Sequence, residues 1–480
     1  MAGSKAAKRK RAAQATLPQK ILKTQSEITP PPDGDNAHPK TLQTVISDEE
    51  LEITVETLAT LAQYPGLIKS KQCKDLRSAV YDFRQACTMG TNSATSGTNL
   101  TGRITGALAD QKYVDAKILL AEMKIRGQEP KLGALCRWVR DLDFVSGLST
   151  QAAGAKDTEL ISVLDDILRV SCPVDTNLEA VVNTASPLAP QATWDVGTGS
   201  AAKEQVYASV LDKSILSYLP ESTTNLLRVI GTTDGALRKP PNHHPEILYT
   251  STTGTIPLTP DFPDITYHKH PKVPGLGLAA GVLSPAECKA IIAAGERVNF
   301  LPDSPIRQDG DISVLAHNFY WIVDTDFHDK LWKRVSPFVP PTVEGRQVRG
   351  LNRRFRVYRY VPGAEYRCHI DGAWPPSGIT AEDKYVYDDS PPEKKQSSLF
   401  TFLMYLNDEF EGGETTFFLP GARQGTINAY PVRPVMGGVA MFPHGDARGA
   451  LLHEGTGVRK GAKYVIRTDV EYDIEPSGQV

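Results

Sequence analysis

The run Tyr358-Arg-Tyr-Val-Pro-Gly-Ala-Glu-Tyr-Arg-Cys-His-Ile-Asp-Gly372 sets the expectation for the fold of the C-terminal part of the chain. The segment Phe355-Arg-Val-Tyr-Arg-Tyr360 is rich in β-branched and aromatic residues, which favours a strand. Successive side chains of a strand point to opposite faces, so His369 and Asp371 would share one face while Ile370 points into the core. The run therefore predicts that an imidazole and a carboxylate converge on one point.

A second candidate ligand, His453, lies far along the chain from Asp371 and would come from a different strand. Two imidazoles and one carboxylate form the facial triad of non-haem Fe(II) oxygenases, which leaves metal positions open. Lys463 follows ten residues after His453 and opens a second alternating run, Lys463-Tyr-Val-Ile-Arg-Thr-Asp-Val-Glu-Tyr472. Lys463 and Arg467 would share a face of that strand. Either cation is suited to hold a dicarboxylate cosubstrate beside the metal.

Each of these residues also has an alternative interpretation that involves no metal or cosubstrate. A His-x-Asp tripeptide is frequent, and alone it is more often a surface or hydrogen-bonded pair than a metal site. His444 competes with His453 for the role of the second imidazole. A lysine in a strand is usually a solvated residue. The combination is more specific than its parts because further motifs occur between them in a fixed order.

Those motifs carry a family resemblance. The region from about Lys272 to Glu475 resembles the catalytic domain of the prolyl 4-hydroxylase branch of the 2-oxoglutarate/Fe(II) dioxygenases. Its opening helix would follow Ser284, a predicted N-cap with Glu287 three residues later. Four later segments match the family in order: Ser398-Leu-Phe-Thr-Phe-Leu-Met-Tyr-Leu-Asn407, Phe410-Glu-Gly-Gly-Glu-Thr-Thr-Phe-Phe418, Val432-Arg-Pro-Val-Met-Gly-Gly-Val-Ala-Met-Phe442 and His453-Glu-Gly455.

The resemblance implies a double-stranded β-helix (jelly-roll) for residues 272–480, and it implies site residues. By this resemblance His369, Asp371 and His453 would bind Fe(II), and Lys463 would pair with the distal carboxylate of 2-oxoglutarate. Tyr360, at an aromatic position of the family, would donate a hydrogen bond to that carboxylate. Arg467 competes with Lys463, because an arginine could clamp the carboxylate bidentately where a lysine offers a point charge.

The resemblance also implies a reaction. The expected chemistry is hydroxylation of an unactivated C–H bond at the expense of O2 and 2-oxoglutarate, with succinate and CO2 as products and ascorbate as reductant. Asp371 favours hydroxylation, because related halogenases lack this carboxylate. The chain departs from the collagen-type pattern at Gly457, where that pattern carries a proline, and at Tyr464, where a tryptophan is usual. These departures concern the substrate and leave the metal ligands intact.

A long polar segment, residues 373–396, separates the His-x-Asp from the next predicted strand. It contains several prolines together with Trp374, Tyr385 and Tyr387. Loops of this length are uncommon and are usually lids or binding loops, or else disordered. The segment therefore predicts a substrate lid, with plain disorder as the alternative.

The N-terminus carries a basic cluster although the net charge of the chain is −3, which gives no overall attraction to nucleic acid. Lys8-Arg-Lys-Arg11 predicts a nuclear localisation signal or a nucleic-acid contact, with a solvated disordered tail as the alternative. No apolar secretory segment or membrane span is present in the sequence. The six cysteines lack paired spacing, which is typical of a reducing compartment. We therefore expect a nuclear or cytoplasmic protein.

The remaining sequence predicts an α+β chain of several parts. A disordered tail and linker would cover residues 1–46, an α-helical region 47–240, and a linker 241–271. Within the helical region, residues 104–130 resemble one pentatricopeptide-type hairpin. No clear second copy follows, so an ordinary helical bundle is the favoured interpretation.

The sequence leaves three functions from different classes open. The first is a hydroxylase acting on a protein side chain, with proline as the candidate. The second is the same chemistry on a small molecule or a flipped nucleobase. The third is an inactive oxygenase fold in which the helical region binds RNA or a protein partner. The complete ligand set with a following cation favours an active enzyme.

Overall fold

A computed structural model of the chain describes most of its length. The described residues are 45–89, 99–148, 158–175, 187–197, 203, 205–219, 227–260, 262, 264–306, 316–380, 382, 384–445 and 447–476. The basic cluster at Lys8–Arg11 and the predicted tail up to residue 44 lie outside these ranges. The chain divides into two compact units, residues 1–74 and residues 75–480. Among the described helices, none is both long and apolar enough to cross a membrane.

In the first unit, helix α1 (Asp48–Ala62) begins where the sequence predicts a cap. The Ser47 hydroxyl accepts a hydrogen bond from the Glu50 amide, and the Glu50 carboxylate accepts one from the Ser47 amide. This capping box satisfies two amides that the first turn would otherwise leave unpaired. A short helix, α2 (Pro65–Ile68), follows.

The second unit contains the predicted helical bundle. Helices α4 (Leu100–Ala109) and α5 (Tyr113–Ile125) form the predicted hairpin. Their apolar sides pack with α6 (Leu132–Leu142) and α7 (Thr158–Arg169) around Trp138, which is fully buried. One described helix of this unit precedes the bundle in the chain, and three follow it between strands. The helices are α3 (Lys74–Met89), α4 (Leu100–Ala109), α5 (Tyr113–Ile125), α6 (Leu132–Leu142), α7 (Thr158–Arg169), α8 (Val206–Leu211), α9 (Pro285–Val298) and α10 (Thr325–Val335).

Strands dominate the C-terminal part of this unit. They are β1 (Leu188–Pro190), β2 (Leu227–Thr233), β3 (Glu246–Ser251), β4 (Thr266–Lys269), β5 (Gly277–Ala280), β6 (Leu301–Asp303), β7 (Ala316–Ile322), β8 (Thr342–Val343), β9 (Arg346–Leu351), β10 (Arg354–Tyr360), β11 (Tyr366–His369), β12 (Gly378–Ile379), β13 (Tyr385–Val386), β14 (Gln396–Tyr405), β15 (Glu411–Gly412), β16 (Thr415–Pro420), β17 (Ile427–Val432), β18 (Val439–Pro443), β19 (Leu452–Gly455), β20 (Val458–Lys460) and β21 (Lys463–Asp473).

Two sheets organise the described strands. The large sheet runs β2-β3-β7-β10-β21-β14-β18-β5-β4, with β6 paired to β7 and β9 to β21. The small sheet runs β1-β17-β16-β19-β11. Strand β21 is central to the large sheet, since β10 and β14 pair with it antiparallel on its two sides. Strand β11 is the end of the small sheet, beside β19.

The predicted boundaries before residue 272 are wrong in two places. Strand β2 lies inside the region predicted to be helical, and it pairs with β3, which joins β7 of the large sheet. The predicted linker 241–271 contains β3 and also β4, which pairs with β5. These segments were short and lacked strong alternation, so only their distant partners identify them as strands.

One apolar cluster joins the helical bundle to the small sheet. It includes Trp138 and Leu164 of the helices together with Phe418 of β16 and Leu452 of β19. The side chain of Ile370 belongs to the same cluster. Helices α4–α7 therefore form a layer, here called the helical layer, on one face of the small sheet rather than a separate domain.

A buried ion pair joins α9 to α10. The Glu287 carboxylate accepts two hydrogen bonds from the Arg334 guanidinium, at 2.8 and 3.0 Å, and also accepts from the amides of Ser284 and Thr259. Ser284 is the predicted N-cap, and its capping box with Glu287 is present. Both charged side chains are nearly inaccessible to solvent.

We expect Glu287→Ala to lower the free energy of unfolding by about 3–5 kcal/mol, because it leaves the buried Arg334 charge unpaired. The measurement is urea denaturation followed by tryptophan fluorescence. The matched control is Glu122→Ala on α5, which removes the partly exposed carboxylate beside Arg126 and Arg103 and should cost under about 0.5 kcal/mol. Equal effects of the two variants would contradict the prediction.

Candidate active site

The two histidines of the predicted triad lie opposite each other on neighbouring strands. Strands β11 and β19 are antiparallel, and His369 is the register partner of His453. Their ring centroids are 4.2 Å apart. Strand β11 ends at His369, so Asp371 lies just beyond the strand rather than within it. Ile370 nevertheless points away from the histidines, into the cluster shared with the helices, as the spacing predicts.

The donor atoms of the triad converge. The Nε2 atom of His369 is 3.4 Å from Oδ1 of Asp371, and Nε2 of His453 is 3.6 Å from Oδ2. One ligand atom from each residue lies within 4.8 Å of the others. Ligands about 2.1 Å from a metal ion are roughly 3 Å apart when they occupy adjacent octahedral positions. The three side chains therefore fit a single six-coordinate ion with little rearrangement.

Hydrogen bonds on the far side of each imidazole fix its tautomer. The Nδ1 atom of His369 lies 2.8 Å from the Arg367 carbonyl, and Nδ1 of His453 lies 3.1 Å from the Leu451 carbonyl. A carbonyl only accepts, so each Nδ1 carries the proton and each Nε2 presents a lone pair to the convergence point. Burial lowers the pKa of His453 to about 3, which keeps this ring neutral.

Asp371 is held as a carboxylate. Burial alone would raise its pKa, but Arg467 and the two histidines outweigh that effect and place the pKa well below the usual value. The Thr401 hydroxyl donates to Oδ2 at 2.6 Å, and the Arg467 guanidinium lies 3.4 Å from Oδ1. The group is thus an ionised acceptor before any metal arrives.

Arg467 lies on the metal side of the cavity. Besides Asp371, its guanidinium lies 3.3 Å from a carboxylate oxygen of Asp469 and donates to the Gly372 carbonyl at 3.3 Å. Two carboxylates therefore share its charge. This placement leaves Lys463 as the better-supported partner for a cosubstrate carboxylate, although both cations share a face of β21 as predicted.

Lys463 occupies a different position in the same cavity, opposite Tyr360 in the register of β10 and β21. It is 4% exposed, and its ammonium donates to the Gly413 carbonyl at 2.7 Å. No carboxylate of the described residues lies within 4 Å of it. Burial lowers its pKa to about 8. The Glu414 carboxylate, which lies further away, partly offsets the effect of burial on this pKa. A buried ammonium with no carboxylate within 4 Å among the described residues is costly, and an incoming anion would reduce that cost.

The cavity lies between the two sheets. His369, His453 and Thr415 come from the small sheet, while Tyr360 and Lys463 come from the large one. Its empty volume is about 480 Å³, including the mouth that opens to solvent. The ring centroid of Tyr360 is 5.7 Å from the Lys463 ammonium. All six predicted site residues therefore line one cavity, with Tyr360 beside Lys463.

His444, the alternative to His453, is not part of the triad. Its ring is fully buried, with Nδ1 2.6 Å from the Thr401 hydroxyl and Nε2 2.8 Å from the Ser398 hydroxyl. Both ring nitrogens are therefore occupied. Tyr464, one of the departures from the collagen-type pattern, points away from the cavity and donates to the Glu296 carboxylate at 2.7 Å.

Several residues around the site were missed by sequence reasoning. Thr401 contacts Asp371 directly, but as a threonine in a strand it carries no signal of that role. Glu454, beside His453, turns to the opposite face of β19, where it accepts a hydrogen bond from the Ser146 hydroxyl of the helical layer. Burial raises the pKa of Glu454. No local pattern could have paired residues so far apart in sequence.

The described residues of the segment after the triad contain regular structure. Strands β12 and β13 form a short hairpin within it, so plain disorder is wrong for its described residues. Its first residues are fixed to the large sheet, since Trp374 and Ser398 exchange backbone and side-chain hydrogen bonds. The Arg354 guanidinium stacks 4.6 Å from the Trp374 ring. The role of a substrate lid remains a prediction.

Residues 355–468 match the 2OG-Fe(II) oxygenase superfamily. The match includes the triad, Tyr360, Lys463 and Arg467, and it confirms the predicted family resemblance for this part of the chain. The family's name states the dependence of its members on 2-oxoglutarate and Fe(II). No curated protein matches the chain.

Solved structures of oxygenases are also similar to the chain. A viral collagen prolyl hydroxylase from Paramecium Bursaria Chlorella virus-1 is 21% identical, over 42% of this chain and 97% of that chain, with a TM-score of 0.28. A Pseudomonas putida prolyl-4-hydroxylase is 17% identical, over 42% and 91%, with a TM-score of 0.25. A 2OG-Fe(II) oxygenase family oxidoreductase from Burkholderia pseudomallei is 16% identical, over 42% and 86%, with a TM-score of 0.28.

Proposed function

We propose that the chain is a 2-oxoglutarate- and Fe(II)-dependent dioxygenase that hydroxylates an unactivated C–H bond of a protein side chain, with proline as the candidate residue. One observation carries the proposal. A single cavity contains two imidazoles with free Nε2 lone pairs, an ionised carboxylate, and a buried ammonium that has no carboxylate partner among the described residues. The three ligands suit Fe(II), and the ammonium suits a dicarboxylate.

His369, Asp371 and His453 would hold the iron through two Nε2 atoms and one carboxylate. Iron bound there supplies the coupling of O2 to 2-oxoglutarate, so that R–H, O2 and 2-oxoglutarate give R–OH, succinate and CO2. The protein's own contribution is positioning. The carbonyls of Arg367 and Leu451 orient the imidazoles, and Arg467 keeps Asp371 ionised.

Lys463 and Tyr360 would bind the distal carboxylate of 2-oxoglutarate. The support is the buried ammonium of Lys463, which has no carboxylate within 4 Å among the described residues, and the adjacent phenol ring. Ascorbate is the proposed reductant that maintains the iron as Fe(II).

A pH dependence of cosubstrate binding follows from the pKa of about 8 for Lys463. A bound carboxylate stabilises the protonated amine, so binding takes up a proton once the free amine is neutral. We expect the affinity for 2-oxoglutarate to be constant near pH 7 and to fall by up to about tenfold per unit above pH 8. Calorimetric titration with Co(II) in place of Fe(II) measures this. In Lys463→Arg, the affinity for 2-oxoglutarate should no longer fall above pH 8, because an arginine stays protonated there. A fall as steep as in the wild type would contradict the assignment of Lys463 to the cosubstrate carboxylate.

A row of stacked side chains supports a polypeptide substrate. Alternate residues of β10 share the face that lines the cavity, where Tyr358 contributes to the wall. The Arg356 guanidinium lies 4.7 Å from the Tyr358 ring and 4.9 Å from the Tyr320 ring. Arg354 continues the row, 4.6 Å from both Tyr320 and Trp374. Tyr320 and Tyr358 are themselves buried, so the groups of this row that could contact an extended chain beyond the metal site are the partly exposed Arg354, Arg356 and Trp374.

The arrangement of the two sheets around the cavity supports a double-stranded β-helix as the fold of the oxygenase part. Because β2 and β3 join the large sheet, we propose that this part begins near residue 227 rather than at 272. We further propose a nuclear or cytoplasmic location, for which the support is the basic run Lys8–Arg11.

The first test is anaerobic addition of Fe(II) and 2-oxoglutarate to the full-length protein, in wild type and in His369→Ala. A weak visible charge-transfer band that is lost in the variant is the expected result. Folded wild-type protein that gives no band would overturn the enzyme assignment.

The second test addresses the substrate. Turnover of 2-oxoglutarate should be stimulated by proline-containing peptides and not by nucleosides or small metabolites. Matched peptides with alanine in place of proline test the side chain. Stimulation by nucleosides or metabolites alone would replace the protein substrate with one of those classes.

A further inference from the structure

A directional chain of hydrogen bonds leads to the metal-binding carboxylate. A carboxylate only accepts, so the 2.6 Å contact between Thr401 and Oδ2 of Asp371 uses the single hydroxyl proton of Thr401. The Thr401 oxygen must then accept in its other contact, which is to Nδ1 of His444 at 2.6 Å. His444 therefore carries its proton on Nδ1 and donates it to Thr401.

The same donor-to-acceptor order holds for the hydrogen bonds on the side of His444 away from Asp371. With the proton on Nδ1, Nε2 of the neutral ring is an acceptor, and the Ser398 hydroxyl donates to it at 2.8 Å. Ser398 in turn accepts from the Trp374 amide at 2.9 Å. The same hydroxyl lies 3.3 Å from a carboxylate oxygen of Asp469, a longer contact than the one to His444. The chain thus runs from the start of the loop after the triad to the carboxylate.

The members of this chain are enclosed and fixed. His444, Thr401 and Ser398 are fully buried, so no solvent water competes for their contacts. The amide of His444 donates to the carbonyl of Leu399, which lies between Ser398 and Thr401 on β14, at 2.8 Å. Gly445, which follows, has a φ of +66°, and a Cβ there would lie 2.6 Å from the Ser398 carbonyl. The turn therefore holds the imidazole directly over β14.

We propose that His444 is a positioning residue for the metal ligand Asp371, acting through the hydroxyl of Thr401. Its Nδ1–H orients the threonine proton toward Oδ2, which fixes the rotation of the carboxylate and leaves Oδ1 directed toward His369. Partners of this kind typically change metal affinity by about 10- to 100-fold when removed. The inference rests on the proposed function, because it presupposes a metal at the triad.

The test is the dissociation constant of Co(II), measured by competition with a chelator on the full-length protein. Thr401→Val and His444→Phe should each weaken Co(II) binding by about 10- to 100-fold. Thr401→Ser keeps the hydroxyl and His444→Asn keeps a donor near the Nδ1 position, so both should retain most of the affinity. In the double variant Thr401→Val/His444→Phe, the loss should equal that of Thr401→Val alone, because His444 acts only through the hydroxyl.

The matched control is Thr416→Val. Thr416 is a fully buried threonine on β16 whose hydroxyl has no hydrogen-bond partner among the described residues, so Co(II) binding should stay unchanged. If His444→Phe fails to fold, Ser398→Ala breaks the chain one step further out and should still weaken Co(II) binding several-fold.

Three outcomes would overturn the proposal. A lower thermal stability of His444→Phe with an unchanged Co(II) dissociation constant would show that His444 has a purely structural role. The two losses could add in the double variant, which excludes action through Thr401. If the wild-type protein binds no Co(II), both the proposed function and this inference are overturned. If the wild type binds Co(II) and the variants bind it equally well, only the role of His444 is overturned.

Discussion

Replacing His369 with alanine is expected to reduce turnover of 2-oxoglutarate by at least about 10³-fold, equivalent to roughly 4 kcal/mol or more of lost transition-state stabilisation. The physical reason is that His369 supplies one of the two imidazole nitrogens that lie against Asp371 among the described residues. The measurement is release of CO2 or succinate with the substrate peptide present, combined with the Co(II) dissociation constant.

The matched control for this variant is His268→Ala, which removes an imidazole from β4, a strand at the far edge of the large sheet. That variant should retain turnover within about twofold, as surface substitutions usually have small effects. Comparable activity of His369→Ala and His268→Ala would mean that the triad does not hold the catalytic metal.

Lys463→Met is expected to weaken 2-oxoglutarate binding by about 10²-fold or more, because loss of one partner of a buried charge pair costs about 2–5 kcal/mol. Co(II) affinity should not change, since Lys463 is not among the triad ligands. The variant should also be as stable as the wild type or more so without cosubstrate, since it removes a buried charge that has no carboxylate partner among the described residues.

Calorimetry with 2-oxoglutarate and thermal denaturation of the free protein provide the two measurements. Lys460→Met is the matched control, because that lysine lies three residues away, is exposed and pairs with Glu411. A strong loss of stability in Lys463→Met with little change in cosubstrate affinity would assign a structural role to the lysine.

The sequence was sufficient to predict the His369 and Asp371 part of the triad because the spacing of these two residues is local, whereas His453 was assigned by the family resemblance. The i, i+2 spacing of His369 and Asp371 brings two donors together whichever strands surround them. Strand β11 ends at His369, yet His369 and Asp371 still point to the same side. The reason is that Ile370, between them, packs into the apolar cluster on the opposite side. Lys463 was likewise predictable, since strand alternation put it on the face that Arg467 shares.

Other features depend on partners that are distant in sequence. Spacing alone does not separate His444 from His453, and the family resemblance selected His453. The structure adds that His444 is enclosed by two hydroxyls while His453 faces Asp371. Strands β2 and β3 could not be identified because their pairing partners, including β7, lie elsewhere in the chain. The preference for Lys463 over Arg467 as the partner of the cosubstrate stays a prediction. The sequence did not reveal that Asp371 and Asp469 both lie within 3.4 Å of the arginine.

The helical layer has a consequence for how the chain can be divided. Trp138 and Leu164 cover the reverse side of the strands whose front carries His369 and His453, and Ile370 is inserted between these layers. Excision of residues 272–480 alone would expose that apolar reverse side to water, at about 25 cal/mol for every Å² uncovered. We therefore expect that residues 272–480 do not fold as an autonomous module. Substitutions in the helices that alter the packing of Ile370 should shift the position of His369 and Asp371 on either side of it.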